Sequence, residues 1–313
     1  MFETQIFAAA LAIQNPWYVK DVQFDSALKR LDIYIDFKRG STFSSTDPEF
    51  PDKYKARDTI DKTWRHLNFF EHECYLHCRT PRIALDENRT ELISPPWAGQ
   101  NSGFTLLFEA LILELCAHMP VHSVCQIIKE HDNKIWRLLE KYIDKAQSSE
   151  DYSQVSAVGM DETSRTKGHK YIPLFVDMLK GKTMHVAHGK DNSTVKEFSE
   201  FLKDHNGKPE QVKKAATPEE FETLLKKWYF WATHSRLEPV IKAAKTIKNH
   251  WDGVHEWKKS QLNNEILEGL NSIVQAARAK ARGYKTFRNF RIVVFLLTGD
   301  LNFKSLNPHV DIK

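Results

Sequence analysis

A chain of 313 residues with 41% hydrophobic and 12% aromatic content is long enough for two domains and can bury a core, which excludes a disordered or low-complexity protein. Four cysteines make no disulfide framework in a chain this size, and no run reaches the roughly 18–20 apolar residues of a membrane span. The net charge is only +4, yet residues 242–291 carry 11 Lys or Arg against 4 Asp or Glu, so +7, leaving −3 for the remainder. Clustered positive charge is the footprint of nucleic-acid binding, although a solvated basic helix gives the same count.

The N-terminal "FAAALAI" is short and lacks the basic segment of a secretory signal, so a reducing cytoplasm is the expected compartment. Residues 21–37 hold Leu31, Ile33, Ile35 and Phe37 in alternation, the pattern of a half-buried strand. The polar "RGSTFSSTDPEFPDKYKARD" reads as a loop, and strand character resumes in "EHECYLHCRTPRIAL". Residues 1–100 are therefore expected to form a small β-rich module. His72, Cys74, His77 and Cys78 cluster in it. On a strand Cys74 and Cys78 share one face while His77 points away, which does not suit the closed tetrahedron of structural Zn²⁺. Zinc is not expected; buried, metal-free cysteines are.

From Gly103 the period becomes helical. "FTLLFEALILELCAHM" predicts a strongly apolar helix ending near Pro120, with two more in "VHSVCQIIKEH" and "NKIWRLLEKYIDKA", broken at His131-Asp132. Residues 101–150 suit a helix-turn-helix module presenting Lys134 and Arg137 to DNA, or equally a plain helical bundle. His118, His122 and His131 have no evident carboxylate partner and read as structural or surface residues.

After a linker at 147–154, strands are predicted over 155–160, 170–179 and 182–189, the last two joined tightly at Gly181. Residues 192–204 predict a helix capped by Asn192 or Ser193, with Val195, Phe198 and Leu202 on one face and Gly207 at its end. Three strands and a helix call for a further strand by crossover. It is missing: Val212 is the only branched apolar residue between Gly207 and Phe221. Helices then fill 221–297, apart from a turn at Arg282-Gly283-Tyr284.

Two acids stand out. Asp161, in "VGMDETS", sits at the carboxyl end of the first predicted strand, where a turn or cap role is the alternative. Glu268 lies on a helix whose predicted buried stripe is Ile266, Leu270, Ile273, Val274 and Ala277. Asn264, Glu268, Asn271, Gln275, Arg278 and Arg282 recur at spacings of 4, 3, 4, 3 and 4, so they share a polar face. An acid ahead of guanidinium groups repels phosphate unless it holds a metal ion against it; a solvated face is the alternative.

The stretches "VGMDETSRTKGHKYIPLFVDM" and "HWDGVHEWKKSQLNNEILEGLNSIVQAARAKARGYKTFRNFR" resemble the DDE transposases of bacterial insertion sequences, in the ISL-three group. "WRHLNFFEHECYLHCRTPR" and "SGFTLLFEALILELCAHMPVHSV" resemble the region before that group's catalytic domain. The resemblance implies an α/β, ribonuclease-H-like catalytic domain over 151–300, shortened near 207–217, behind a helical DNA-binding region, with 301–313 a tail. It implies Asp161 as the first catalytic acid and Glu268 as the last, both holding Mg²⁺ or Mn²⁺. It further implies double-stranded DNA as partner, at the element's terminal repeats and at target, with Arg278, Lys280, Arg282, Lys285 and Arg288 neutralising phosphates. A homodimer or pairing with an intact transposase, and a bacterial nucleoid-associated location, belong to the same picture.

The chain departs from that pattern twice. The segment of the second acid is absent, with the join near Ala215-Ala216; Asp161 and Glu268 stand 107 positions apart, and Asp177 and Asp191 are the nearest stand-ins. The cysteine pairs that resemble zinc ligands in the front module are also gone. Three readings stay open: an insertion-sequence transposase, inactive if the lost acid is essential; a non-catalytic DNA-binding remnant that regulates related elements; or a non-functional fragment that folds poorly.

Overall fold

The computed structural model describes residues 2–99, 102–164, 171–188, 192–212, 219–235, 237–251 and 265–311. It is a mixed α/β protein that divides into two compact units, one of residues 1–142 with 302–313 and one of residues 143–301.

In the first unit a helix, α1 (Phe2–Ala10), precedes β1 (Trp17–Asp25), β2 (Arg30–Phe37), β3 (Thr42–Ser44), β4 (Lys53–Phe69), β5 (His72–Ala84) and β6 (Thr90–Leu92). The sheet order is β1-β2-β5-β4-β3, with β6 on β5. Strand β2 runs parallel to β5 with Leu31, Ile33 and Ile35 opposite Cys74, Leu76 and Cys78, and all six are buried. Period-two alternation thus builds the core, as the sequence predicts for Leu31, Ile33 and Ile35. Burial pushes the thiols of Cys74 and Cys78 up to about 12, so both are protonated core residues. His77 faces the other way, sharing hydrogen bonds with Asp32 at 2.5 Å and Thr63 at 2.9 Å.

The expected loop at 39–58 is corrected here. Residues 42–44 and 53 onward are strand, and β4 continues for 17 residues. Positions 57–63 of β4 are all exposed although paired to β5, so no apolar alternation marks them in the sequence.

The helical part comprises α2 (Leu106–His118), α3 (Val121–Ile128) and α4 (Asp132–Ser148). The Thr105 hydroxyl caps α2 by accepting from Phe108 N, and Lys129 ends α3 in the left-handed conformation, φ 55°. Glu109, wholly buried, accepts hydrogen bonds from Ser102 Oγ at 2.5 Å and Tyr142 Oη at 2.7 Å. Asn307 Nδ2 donates to Tyr142 Oη at 3.0 Å and to Leu106 O at 2.8 Å, anchoring the C-terminal segment. His118 does have a carboxylate partner, Glu114 at 2.9 Å one turn back, and His122 pairs with Gln126 at 3.2 Å.

In the second unit β7 (Val158–Ser164), β8 (Tyr171–Asp177) and β9 (Lys182–Val186) form an antiparallel sheet in sequence order. The β8–β9 turn uses Gly181 at φ 66°, and Asp177 Oδ1 accepts from Leu179 N at 2.9 Å and Lys180 N at 3.1 Å. Helix α5 (Asn192–Asp204) packs on β8 through Phe198, stacked on Phe175 with ring centroids 4.2 Å apart. Helices α6 (Glu219–Thr233), α7 (Glu238–Asn249), α8 (Glu265–Lys280) and α9 (Phe287–Thr298) follow. Among the described residues no fourth strand joins this sheet. Asp191, Asn264 and the expected join at Ala215-Ala216 lie outside the described residues.

Candidate functional site

Strand β7 and helix α8 build the site. Asp161 stands in the middle of β7, opposite Leu174 of β8, rather than at a strand end. The strand begins and ends about three residues later than its apolar pattern suggests, because Asp161–Ser164 complete the ladder with polar side chains.

Residues 159, 161 and 163 point to one side of β7, and α8 lies along that side. A Cβ on Gly159 would clash with Met178 Sδ and come within 3.1 Å of both Leu267 methyls. Asp161 Oδ2 accepts from Asn271 Nδ2 at 3.0 Å. Gln275 Nε2 donates to the Thr163 hydroxyl, and to Ser164 O at 3.3 Å; Arg278 Nη1 reaches the same carbonyl at 3.1 Å. Two strand residues rise about 6.6 Å and four helical residues about 6 Å, so the elements keep step over 159–163 and 267–275.

The expected burial of α8 is corrected at Ile273 alone; Ile266, Leu270 and Ala277 are half-buried. The helix's polar face, carrying Asn271, Gln275 and Arg278, turns toward β7, while Val274 is buried and Ile273 is 47% exposed. The reason is the strand, which offers Asp161, Thr163 and the Ser164 carbonyl instead of an apolar surface.

Glu268 is exposed, one turn before Asn271 on the same face, about 4.5 Å along the axis. Its position has a second physical support. Acids in the first turn (Glu265, Glu268) and bases in the last (Arg278, Lys280) both suit the helix macrodipole. The sequence pattern of an acid ahead of a basic run is thus stable in its own right.

The spacing puts Asn271 on the polar face of α8 but assigns it no role. Only one end of its amide is used: Oδ1 is buried and has no hydrogen-bond partner among the described residues. A buried acceptor left unpaired costs about 1–3 kcal/mol, a cost that a bound cation or a water molecule removes. Asp161 Oδ1 accepts from Glu162 N at 2.8 Å. A hard divalent cation takes oxygen donors, and Asp161, Glu268 and Asn271 Oδ1 are all of that kind. Among the described residues no three His, Cys, Asp or Glu side chains gather as a metal-binding group. The donor set therefore fits in chemistry but holds two acids rather than three. Asp177 is no substitute, since its carboxylate caps the β8–β9 turn.

The basic residues divide by environment. Lys280, Arg282 and Lys285 are exposed at the end of α8 and in the turn after it, where Arg282 and Gly283 have φ of 57° and 94°, and Arg288 is exposed in the first turn of α9. Arg278 is half-buried against β7. In the helical region Lys134 is half-buried, 3.2 Å from Glu130 and 3.8 Å above the Phe104 ring. Arg137 is exposed and donates to Asn133 O at 3.2 Å. No helix among the described residues is long and apolar enough to cross a membrane.

Comparison with known proteins adds three findings. Residues 93–143 match the model of the helix-turn-helix domain of transposase family ISL3. The same family's transposase domain matches in two segments, 158–217 and 208–294. Over 148 residues the chain is 24% identical to the transposase for insertion sequence element IS1557 of Mycobacterium tuberculosis, in two strains, a match covering 45% of this chain and 32% of theirs. The chain thus spans about a third of the length of these relatives.

Proposed function

The chain belongs to transposase family ISL3, and on that premise we propose that its second unit is a ribonuclease-H-like phosphoryl-transfer domain acting on double-stranded DNA. The observation that carries this reading is the seating of α8 on β7, with Asp161 bonded to Asn271 one turn from Glu268. Residues far apart in the chain are thereby held on one rigid strand–helix pair, as a catalytic constellation requires. In this reading Asp161 and Glu268 are the two catalytic acids.

Asp161, Glu268 and Asn271 would hold a divalent cation, Mg²⁺ or Mn²⁺. When bound, such a cation polarises a phosphoryl oxygen and lowers the pKa of an attacking hydroxyl or water. The chain's own residues do the rest. Asn271 fixes one carboxylate oxygen of Asp161, Gln275 holds Thr163 and the β7 edge, and Lys280, Arg282, Lys285 and Arg288 bind phosphates and orient the duplex. The matched helix-turn-helix segment, with Arg137 exposed on α4, reads the element's terminal repeats. A nucleoid-associated site of action, and pairing with a second copy or an intact transposase, follow from that role.

A supercoiled-plasmid nicking and strand-transfer assay with Mg²⁺ or Mn²⁺ tests the proposal. Cleavage that disappears on Asp161→Ala and on Glu268→Ala supports it; metal-independent cleavage, or none, removes it.

A second reading has its own support. The transposase match is split in two, and among the described residues no three acids gather as a metal-binding group, which favours a DNA-binding remnant that has lost strand transfer. Salt-dependent gel shifts with terminal-repeat DNA, in a protein that never cuts it, would select this reading.

A further inference from the structure

We propose that Asn271 is the third oxygen donor of the cation site, its side-chain carbonyl standing beside Asp161 where no third acidic ligand is found among the described residues. This rests on the phosphoryl-transfer reading above.

Two other polar side chains that α8 aims at β7 have partners on the strand. Gln275 uses its amide nitrogen on Thr163 and Ser164, and Arg278 donates to Ser164 O. Asn271 alone among them carries a buried oxygen with no partner among the described residues. A purely structural tie between helix and strand needs only the Nδ2 donor, which meets Asp161 at 3.0 Å. It leaves Oδ1 unexplained. A cation explains both ends: the N–H group orients the Asp161 carboxylate, and Oδ1 supplies a neutral, hard donor next to it. Glu268, one turn earlier on the same face, supplies the remaining charge. Amide and carboxylate oxygens are the ligand types Mg²⁺ and Mn²⁺ accept.

The test uses the full chain, Mn²⁺ as probe, and titration calorimetry with thermal melting as readouts. Asp161→Asn, Asn271→Ala and Asn271→Asp are compared with the parent. The expected result is a loss of at least about tenfold in Mn²⁺ affinity for Asp161→Asn and Asn271→Ala. Asn271→Asp, which keeps an oxygen and loses the N–H donor, should lower Tm without metal and regain it with Mn²⁺. Unchanged affinity in Asn271→Ala beside a loss in Asp161→Asn overturns the role of Asn271 and leaves the site reading intact. Equal affinity in the parent and Asp161→Asn, or no binding in either, overturns the site reading and the proposal with it. If Asn271→Ala fails to fold, Asn271→Asp decides: a Tm rise with Mn²⁺ larger than the parent's supports the proposal, and no rise overturns it.

Discussion

Asp161 and Asn271 lie 110 positions apart and share a 3.0 Å hydrogen bond, and one turn farther along α8 the pattern repeats between Thr163 and Gln275. The register of helix on strand is therefore set by polar side chains. Asp161→Ala should do two things at once: abolish metal-dependent nicking, and free Asn271 Nδ2 in a half-buried site. The second effect is expected to cost about 1–3 kcal/mol in chemical denaturation. Asp161→Asn keeps the shape and an acceptor oxygen, so it should lose activity with a smaller stability loss. Equal nicking by parent and both variants would remove Asp161 from the mechanism.

At the other end of the same contact, Gly159 gives Leu267 and Met178 room to seat α8. Gly159→Ala should push the Met178 thioether aside and press on the Leu267 methyls, costing up to about 1 kcal/mol where Leu267 cannot give way. If the site needs that seating, nicking should fall by more than the folded fraction does. A variant as stable and as active as the parent would show that Met178 and Leu267 give way without moving the helix.

The sequence makes the helix 192–204, the three strands of the second unit and α8 legible, because each has a clear period and a turn residue such as Gly181 or Gly207. It conceals what polar surfaces hide. Strand β4 has residues 57–63 exposed, so it carries no alternation, and its length is set by pairing with β5 rather than by its own apolar content. The face of α8 that meets β7 looked solvated because its residues are Asn, Gln and Arg; only the strand opposite, with Asp161 and Thr163, shows why they are turned inward. Spacing did place Asn271 three residues after Glu268 on one face. No spacing argument reveals that half of its amide is left unpaired.

His66 gives the first unit a pH dependence. Its ring shares a 2.8 Å hydrogen bond with Thr105, the cap of α2, and burial, with a smaller contribution from the Arg65 charge, lowers its pKa to about 4. The unfolded chain, with an ordinary value near 6.5, binds a proton that the folded chain refuses between those limits. Stability should thus be full above pH 6.5 and fall as pH drops toward 4, levelling below that. The loss is about 1–3 kcal/mol. Urea unfolding at pH 7.0 and 4.5 measures it, and His66→Gln should flatten that part of the profile. A pH dependence unaltered in His66→Gln would assign the effect to other groups.

The two sets of cations named from the sequence should separate under salt. Lys280 and Arg282 are exposed at the end of α8 and free to meet phosphate, whereas Lys134 is committed to Glu130 and to the face of Phe104. A phosphate contact releases about one counterion, so each exposed residue changed to Ala should reduce the slope of log affinity against log salt by about one. Lys134→Ala should leave that slope unchanged and lower Tm instead, because it strips a cation from a ring and leaves Glu130 unpaired. Filter binding to a terminal-repeat duplex across a salt series, with a melt of each variant, distinguishes the two behaviours. Should Lys134→Ala flatten the slope while Lys280→Ala and Arg282→Ala do not, the duplex is gripped by the helical region and the basic end of α8 has no part in it.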